Sequence, residues 1–168
     1  MKNILHFSLS ILLPLFLISC APQQVQSLPT ETLSDDQLAL HTLVEFLQNL
    51  NDGSYQDAVQ SYGGTYETLV YFNPTIPPND HAALLRNACT INGIHCLQVN
   101  TAGLDRQVSD TEFVFKVDFL NPDGTLFVLG PCCGASETES PPQSVFYFTV
   151  KKADNGNFIV MDMPPYTP

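Results

Sequence analysis

Between residues 34 and 90 the apolar positions recur every three or four residues, which is the spacing of helices with one buried face. This pattern predicts three helices, over 34–51, 54–62 and about 80–90. Ser34 and Gln37 fit a capping box at the start of the first helix. The apolar stripe of that helix consists of Leu40, Leu43, Val44, Leu47 and Leu50. A turn containing glycine follows each helix, so we expect three separate elements.

From residue 94 onward the period changes to two, which is typical of strands that bury one face. Strands are predicted at 94–100, 111–120, 125–129, 144–151 and 157–163. One face of the second strand carries Phe113, Phe115, Val117 and Phe119. Turn sequences such as Asn121-Pro122-Asp123-Gly124 reverse the chain, so consecutive strands are expected to pair antiparallel. Residues 65–72 are also β-prone, and the pattern allows a further short strand there.

The order of these elements predicts a single α+β domain over 34–168, with three N-terminal helices packed on a curved antiparallel sheet of four to six strands. Residues 38–62, LALHTLVEFLQNLNDGSYQDAVQSY, read as a long helix, a short acidic-glycine turn and a second helix. This opening resembles that of the nuclear transport factor two-like superfamily, a cone-shaped α+β fold that also includes ketosteroid isomerase and polyketide cyclases. A generic α+β sandwich is the alternative.

The first twenty residues, MKNILHFSLSILLPLFLISC, have a basic start, a short apolar run and a small residue before Cys20. A secretory signal has this order, and the run is too short and interrupted for a membrane-spanning helix. The last four, Leu17-Ile18-Ser19-Cys20, resemble the lipobox of bacterial lipoproteins. An ordinary signal peptide with a chance cysteine, or an uncleaved anchor, is the alternative.

The lipobox resemblance implies that residues 1–19 are a removable signal peptide and that Cys20 carries acyl chains such as palmitate. The protein would then be held by lipid on the extracytoplasmic face of the cell membrane or outer membrane. Residues 20–33 contain two prolines and little apolar periodicity, so they are predicted to be the lipidated tether.

The chain carries seventeen acidic and six basic side chains, a formal net charge of −11. Removing the signal peptide would remove one basic residue, Lys2, and no acidic one. Such a charge repels phosphate backbones, so no nucleic-acid partner is expected. The common local signatures of hydrolases, zinc proteases and nucleotide-binding enzymes are missing from the sequence. No catalytic residue, metal or cofactor is therefore predicted.

Outside the cytoplasm thiols tend to be oxidised, so four cysteines are disulfide candidates: Cys89, Cys96, Cys132 and Cys133. The favoured pairing joins Cys89 to Cys96 across a short reversal, which leaves the adjacent pair of the sequence GPCCG to bond with each other. The alternative is two long-range bridges from the third helix to the loop 130–143. The spacing argues against zinc, and a redox switch at the adjacent pair is also disfavoured.

The leading functional prediction is a membrane-anchored, non-catalytic domain that binds a protein, a peptide or a small apolar ligand. One alternative is a cyclase- or isomerase-type enzyme acting on an apolar substrate inside the cone. A second is a subunit of an envelope assembly, with a homodimer formed through the sheet. Five aromatic side chains either line an apolar pocket or fill the core, and the core is favoured: Phe113, Phe115, Phe127, Phe146 and Phe148.

Overall fold

The computed structural model describes residues 33–167. The signal peptide, the lipobox with Cys20, and the tether up to residue 32 lie outside this range. Within it the chain forms four helices and one antiparallel sheet of four strands, so the predicted α+β class is confirmed. Among the described residues, no helix combines the length and the apolar character that crossing a membrane requires.

The helices come first and the strands follow. The helices are α1 (Asp35–Asp52), α2 (Tyr55–Ser61), α3 (Glu67–Phe72) and α4 (His81–Thr90). The strands are β1 (Gln98–Ser109), β2 (Glu112–Leu120), β3 (Phe146–Lys152) and β4 (Phe158–Val160). They lie in the order β1-β2-β3-β4, so each strand pairs with its neighbour in sequence.

Helix α1 has the ends that its sequence predicts. The Gln37 side-chain oxygen accepts the Ser34 backbone N–H at 2.9 Å, which satisfies one of the free donors at the start of the helix. The helix ends at Gly53, whose φ of 77° lies in the left-handed region that favours glycine. Its buried face comprises Ala39, Leu43, Phe46, Leu47 and Leu50.

Strand β2 is the centre of the core. Phe113, Phe115, Val117 and Phe119 are all buried, as the alternation of the sequence predicts. The pairing of β1 with β2 is irregular after Val99, after Leu104 and after Gln107. Because such bulges bend and twist a strand, β1 can curve around the helices.

Three predictions of strand structure were wrong. Residues 65–72 contain helix α3 instead of a strand, so four helices precede the sheet where three were predicted. The strand predicted at 94–100 begins only at Gln98 and continues to Ser109. Residues 125–129 form no strand and only make isolated bridges, from Leu126 to Leu120 and from Leu129 to Gln143.

Helix α3 forms because tertiary contacts outweigh its β-propensity. Its buried residue, Leu69, joins the core, while Tyr71 stays 80% exposed. The helix is also held at its end by the buried amide of Asn73, which donates to the Leu69 carbonyl at 2.7 Å and to Asn92 Oδ1 at 2.9 Å. Asn87 of α4 donates to Asn73 Oδ1 at 2.9 Å. This amide cluster fixes α3 against α4 and the loop that follows α4.

Cys89 and Cys96 form a disulfide, with their Cα atoms 5.4 Å apart. This pairing is the favoured one, and it excludes the two long-range bridges from α4 to the loop 130–143. The reversal between the two cysteines is closed by the Ile94 N–H, which donates to the Ala88 carbonyl at 3.1 Å. The disulfide therefore fixes the end of α4 to the segment that leads into β1.

Replacing both Cys89 and Cys96 by serine should lower the free energy of unfolding by about 2 to 3 kcal/mol, because the short closed loop no longer restricts the unfolded chain. Guanidinium denaturation measures this difference. The double replacement of the exposed Cys132 and Cys133 is the matched control and should cost less than about 0.5 kcal/mol. Equal losses in the two variants would contradict a structural disulfide at Cys89–Cys96.

Candidate functional site

The five phenylalanines predicted to line a pocket or to fill the core are all buried and belong to one hydrophobic cluster. Their rings pack against one another, for example Phe127 against Phe146 with centroids 5.9 Å apart and Phe113 against Phe115 at 6.4 Å. The cleft described next is lined by other side chains. The candidate site therefore lies beside this aromatic cluster and outside it.

A cleft of about 350 Å³ opens between α3, the loop after α4 and the C-terminal segment 161–166. We call it the α3 cleft. Its apolar wall consists of Leu69, Phe72, Ile94, Met161, Met163, Pro164 and Tyr166. Its polar groups are Tyr62, Thr65, Thr68, Asn92 and Asp162. A concave, mainly apolar space with a few polar side chains is the usual form of a small-molecule site.

Backbone hydrogen bonds hold the C-terminal wall of the α3 cleft in place. The His95 N–H donates to the Pro165 carbonyl at 2.8 Å, and the Thr167 N–H donates to the Gly93 carbonyl at 3.0 Å. On the other side, the Gly63 N–H donates to the Val160 carbonyl at 2.9 Å. The wall is thus tied both to the loop after α4 and to the end of α2.

Two glycines are required by these close approaches. Gly93 has a φ of 80°, and a Cβ there would collide with the Thr167 carbonyl. A Cβ at Gly64 would collide with the Tyr62 hydroxyl and with the Met161 carbonyl. Asn92-Gly93 and Gly63-Gly64 were predicted only as helix stops, but in the structure they also allow the walls of the cleft to meet.

Four aromatic rings form a row of contacts, and Tyr62 of this row lines the cleft. Tyr62 stacks on Phe46 of the core with centroids 5.7 Å apart and receives the edge of Tyr66 at 5.1 Å. Tyr66 in turn lies nearly parallel to the His81 ring at 3.9 Å. The stack connects the α3 cleft to the start of α4.

The two tyrosine hydroxyls are protonated donors at neutral pH. Burial raises the pKa of Tyr66 to about 12, with a smaller contribution from Tyr62. Burial also raises the pKa of Tyr62, and the negative charge of Asp162 adds to this effect. The Tyr66 hydroxyl is buried and has no hydrogen-bond partner within the described part of the chain. A buried hydroxyl without an acceptor destabilises the folded protein, because it has lost its hydrogen bonds to water.

Asp162 is the acidic side chain of the cleft. Its Oδ2 accepts the Thr149 N–H of β3 at 2.6 Å, which orients the carboxylate at the end of β4. The cleft therefore combines an apolar wall, a few neutral polar side chains and one acidic side chain.

A second cavity, of about 490 Å³, lies between α1, α2 and the turn before β4. Polar and charged side chains make up most of its lining, including His41, Glu45 and Asp57. It is more polar than the α3 cleft, so it is less suited to an apolar ligand.

The other side chains considered from the sequence are placed apart from the α3 cleft. His41 lies on the exposed side of α1, 3.7 Å from Glu45, and the His95 ring is 2.7 Å from the Thr167 hydroxyl. Asp118 accepts hydrogen bonds from Asn100 and Thr101 across β1. Burial raises the pKa of Asp118, but these hydrogen bonds outweigh it and lower the value.

The described residues contain no group of three or more histidine, cysteine or acidic side chains placed to hold a metal ion. Cys132 and Cys133 are exposed free thiols whose sulfur atoms are 2.8 Å apart. They lie in the loop between β2 and β3 and do not line the α3 cleft.

Sequence reasoning missed Asp162, which lines the cleft, and Tyr66, whose ring packs against Tyr62 of the lining. Asp162 lies in VMDMP, where one acid stands between two methionines, and such a run also fits an ordinary strand end. Tyr66 lies in the segment predicted as a strand. Only the pairing of residues about one hundred positions apart brings Tyr62 and Asp162 to the same cleft.

No protein family, curated protein or solved structure in the comparisons matches the chain. Its function is therefore argued from the geometry of the α3 cleft and from the residues that line it.

Proposed function

We propose that this protein is a lipid-anchored extracytoplasmic domain, non-catalytic, that binds a small, mainly apolar and uncharged ligand in the α3 cleft. The observation that carries the proposal is the cleft itself, with its apolar wall and a few convergent polar groups. Its volume of about 350 Å³ lies at the lower end of the range of small-molecule pockets.

We further propose that the domain is a nuclear transport factor two-like cone. Two features support this: helices precede the whole sheet, and the bulges of β1 allow the sheet to curve. The α3 cleft then lies where helices and the end of the sheet come together. Small-molecule sites commonly occur in such crevices between packed elements.

The charges around the cleft set the class of ligand. Asp162 is the acidic group in the lining, and no basic side chain balances it there. An anionic headgroup would lose its hydration and face a like charge, which is unfavourable in a partly buried site. The Thr68 hydroxyl and the Asn92 amide belong to the lining and can donate to a ligand oxygen, so a neutral molecule with one carbonyl or hydroxyl fits best.

The same residues favour binding over catalysis. An isomerase-type base needs a buried carboxylate without compensation, whose pKa is raised towards the working pH. Asp162 instead accepts a short bond from the Thr149 N–H, and Asp118 accepts three hydrogen bonds from its neighbours. Neither carboxylate is therefore without compensating hydrogen bonds, and those of Asp118 lower its pKa.

Assembly through the sheet is less favoured than ligand binding. The exposed side of β2 carries Lys116 and Asp118, and Thr101 pairs across from Asp118. A homodimer through this face would bury these polar groups, whereas a stable interface usually has an apolar centre.

Filling the cleft should abolish binding of an apolar probe. N-phenyl-1-naphthylamine, a neutral fluorescent molecule, should bind the acyl-free polypeptide of residues 21–168. Thr68→Trp places an indole at the cleft lining and should weaken this binding by roughly tenfold or more, a loss of about 1.4 kcal/mol. Fluorescence titration gives both dissociation constants.

Glu67→Trp is the matched control, since Glu67 is the neighbouring exposed residue of α3 and does not line the cleft. It should change the affinity by less than about threefold. The proposed site is wrong if the two variants weaken binding equally, or if the parent protein does not bind the probe.

The charge of Asp162 should discriminate between two related probes. The 8-sulfonate of the same naphthylamine carries a negative charge and should bind more weakly than the neutral molecule. Asp162→Asn keeps an acceptor for the Thr149 N–H but removes the charge. It should therefore improve binding of the sulfonate at least threefold and leave the neutral probe nearly unchanged. An equal change for both probes would show that Asp162 does not face the ligand.

The lipid anchor should depend on Cys20 alone. Cells that express the full-length protein and are fed an alkyne analogue of palmitate should label it, and the protein should stay with the membrane fraction. Cys20→Ser should lose the label, because the acylated thiol is gone, whereas Cys132→Ser should keep it. A label that survives in Cys20→Ser would refute the lipobox assignment.

A further inference from the structure

The adjacent cysteines of the sequence GPCCG play no part in the α3 cleft, and their geometry is unusual. Cys132 and Cys133 are both exposed, and their sulfur atoms are only 2.8 Å apart. Neighbouring residues in an extended chain would point their side chains to opposite sides. Here both thiols point the same way, into solvent.

The backbone of the loop produces this arrangement. Cys133 has a φ of 62°, and it is the one non-glycine residue with a positive φ in the described range 33–167. Gly134 follows with a φ of 87°, and the Ala135 N–H closes the turn by donating to the Cys132 carbonyl at 3.0 Å. A left-handed conformation costs free energy for any residue with a side chain, and such positions cluster at functional sites.

A short hydrogen-bonded turn supports the pair on its C-terminal side. The Glu139 carboxylate accepts the Ser136 N–H and the Ser136 hydroxyl, both at 2.9 Å. On the other side, Pro131 limits the backbone before Cys132. The loop therefore presents the two thiols from a defined turn.

We propose that Cys132 and Cys133 form a reversible thiol–disulfide exchange site for low-molecular-weight disulfides. One cysteine, as thiolate, attacks a sulfur of the incoming disulfide; that S–S bond breaks, one thiolate leaves, and a mixed disulfide forms. The second cysteine gives its proton to solvent, attacks the protein sulfur of the mixed disulfide and expels the other thiolate. The products are an eight-membered ring closed by a Cys132–Cys133 bond and two molecules of thiol, so two electrons pass to the partner.

The hydrogen bond between the two sulfurs couples the two thiols. The pKa of Cys133 is raised because its thiol hydrogen-bonds to Cys132, with further effects from burial and from the charge on Cys132. Either sulfur can be the donor of this bond, so either cysteine can make the first attack once it is a thiolate.

The ring is expected to open as readily as it closes. A disulfide between adjacent residues strains the peptide bond that it encloses, and exposed, strained disulfides are the labile ones. The Cys89–Cys96 bond spans seven positions, and both of its cysteines are half-buried. The molecule therefore contains one structural disulfide and, separately, one pair suited to exchange.

Peptide mapping of the full-length protein in detergent tests the proposal. The protein is equilibrated with mixtures of reduced and oxidised glutathione, alkylated and digested with trypsin. Cleavage after Lys116 and Lys151 yields a peptide of residues 117–151 that contains Cys132 and Cys133 and no other cysteine. The expected product at high oxidised glutathione is this peptide lighter by two hydrogen atoms. Reduced glutathione should reverse it at a concentration at least roughly tenfold below that which opens Cys89–Cys96.

Single variants separate ring closure from simple thiol reactivity. Cys132→Ser and Cys133→Ser each retain one thiol, which should stop at the glutathione mixed disulfide. The proposal is overturned if the parent protein accumulates glutathione on both cysteines, forms linked dimers through them, or closes a ring that reduced glutathione does not reopen. None of these readouts involves the α3 cleft or the acyl chain, so failure here is distinct from failure of the proposed function.

Discussion

The packing of the buried face of the sheet against α1 is the contact on which the rest of the domain depends. Phe113, Phe115 and Phe119 of β2 are buried in one hydrophobic cluster with the leucines of α1. Each such side chain contributes about 1.5 to 3 kcal/mol when it is fully buried. Because these rings fill the interior, the α3 cleft lies outside them, beside α3 and the C-terminal segment.

The α3 cleft is a consequence of this arrangement. The C-terminal segment closes the space beside α3 and brings Met161, Asp162 and Met163 to the same cleft as Tyr62. The same segment is held by backbone bonds to the loop after α4, which the Cys89–Cys96 disulfide and the Asn73 cluster fix in turn.

Much of the fold could be predicted from local pattern. In helices α1, α2 and α4 the apolar residues recur at helical spacing and a glycine-containing turn follows, and in β2 apolar and polar residues alternate. Each of these elements lies within a few residues of its predicted bounds. The strand allowed at 65–72 was wrong because threonine, tyrosine and valine favour strands in isolation. In the folded chain the segment is a helix, stabilised by the burial of Leu69 and by the hydrogen bonds of Asn73 to Leu69 and Asn87. The strand predicted at 125–129 was wrong because an alternating segment becomes a strand only beside a neighbour with free backbone hydrogen-bonding groups. Here the segment makes only isolated bridges.

The sequence by itself determined what depends on neighbours along the chain: the amphipathic helices, the phenylalanine face of β2 and the short reversal that lets Cys89 meet Cys96. Tertiary structure decided which polar groups share a space. Asp162 reaches Tyr62 only because β4 pairs beside β3 and bridges to the end of α2, and Cys132 and Cys133 face the same way only because Cys133 adopts a left-handed backbone. Periodicity reports whether a side chain is buried. It carries no information on which distant residue it will meet, since that is fixed by the packing of whole elements.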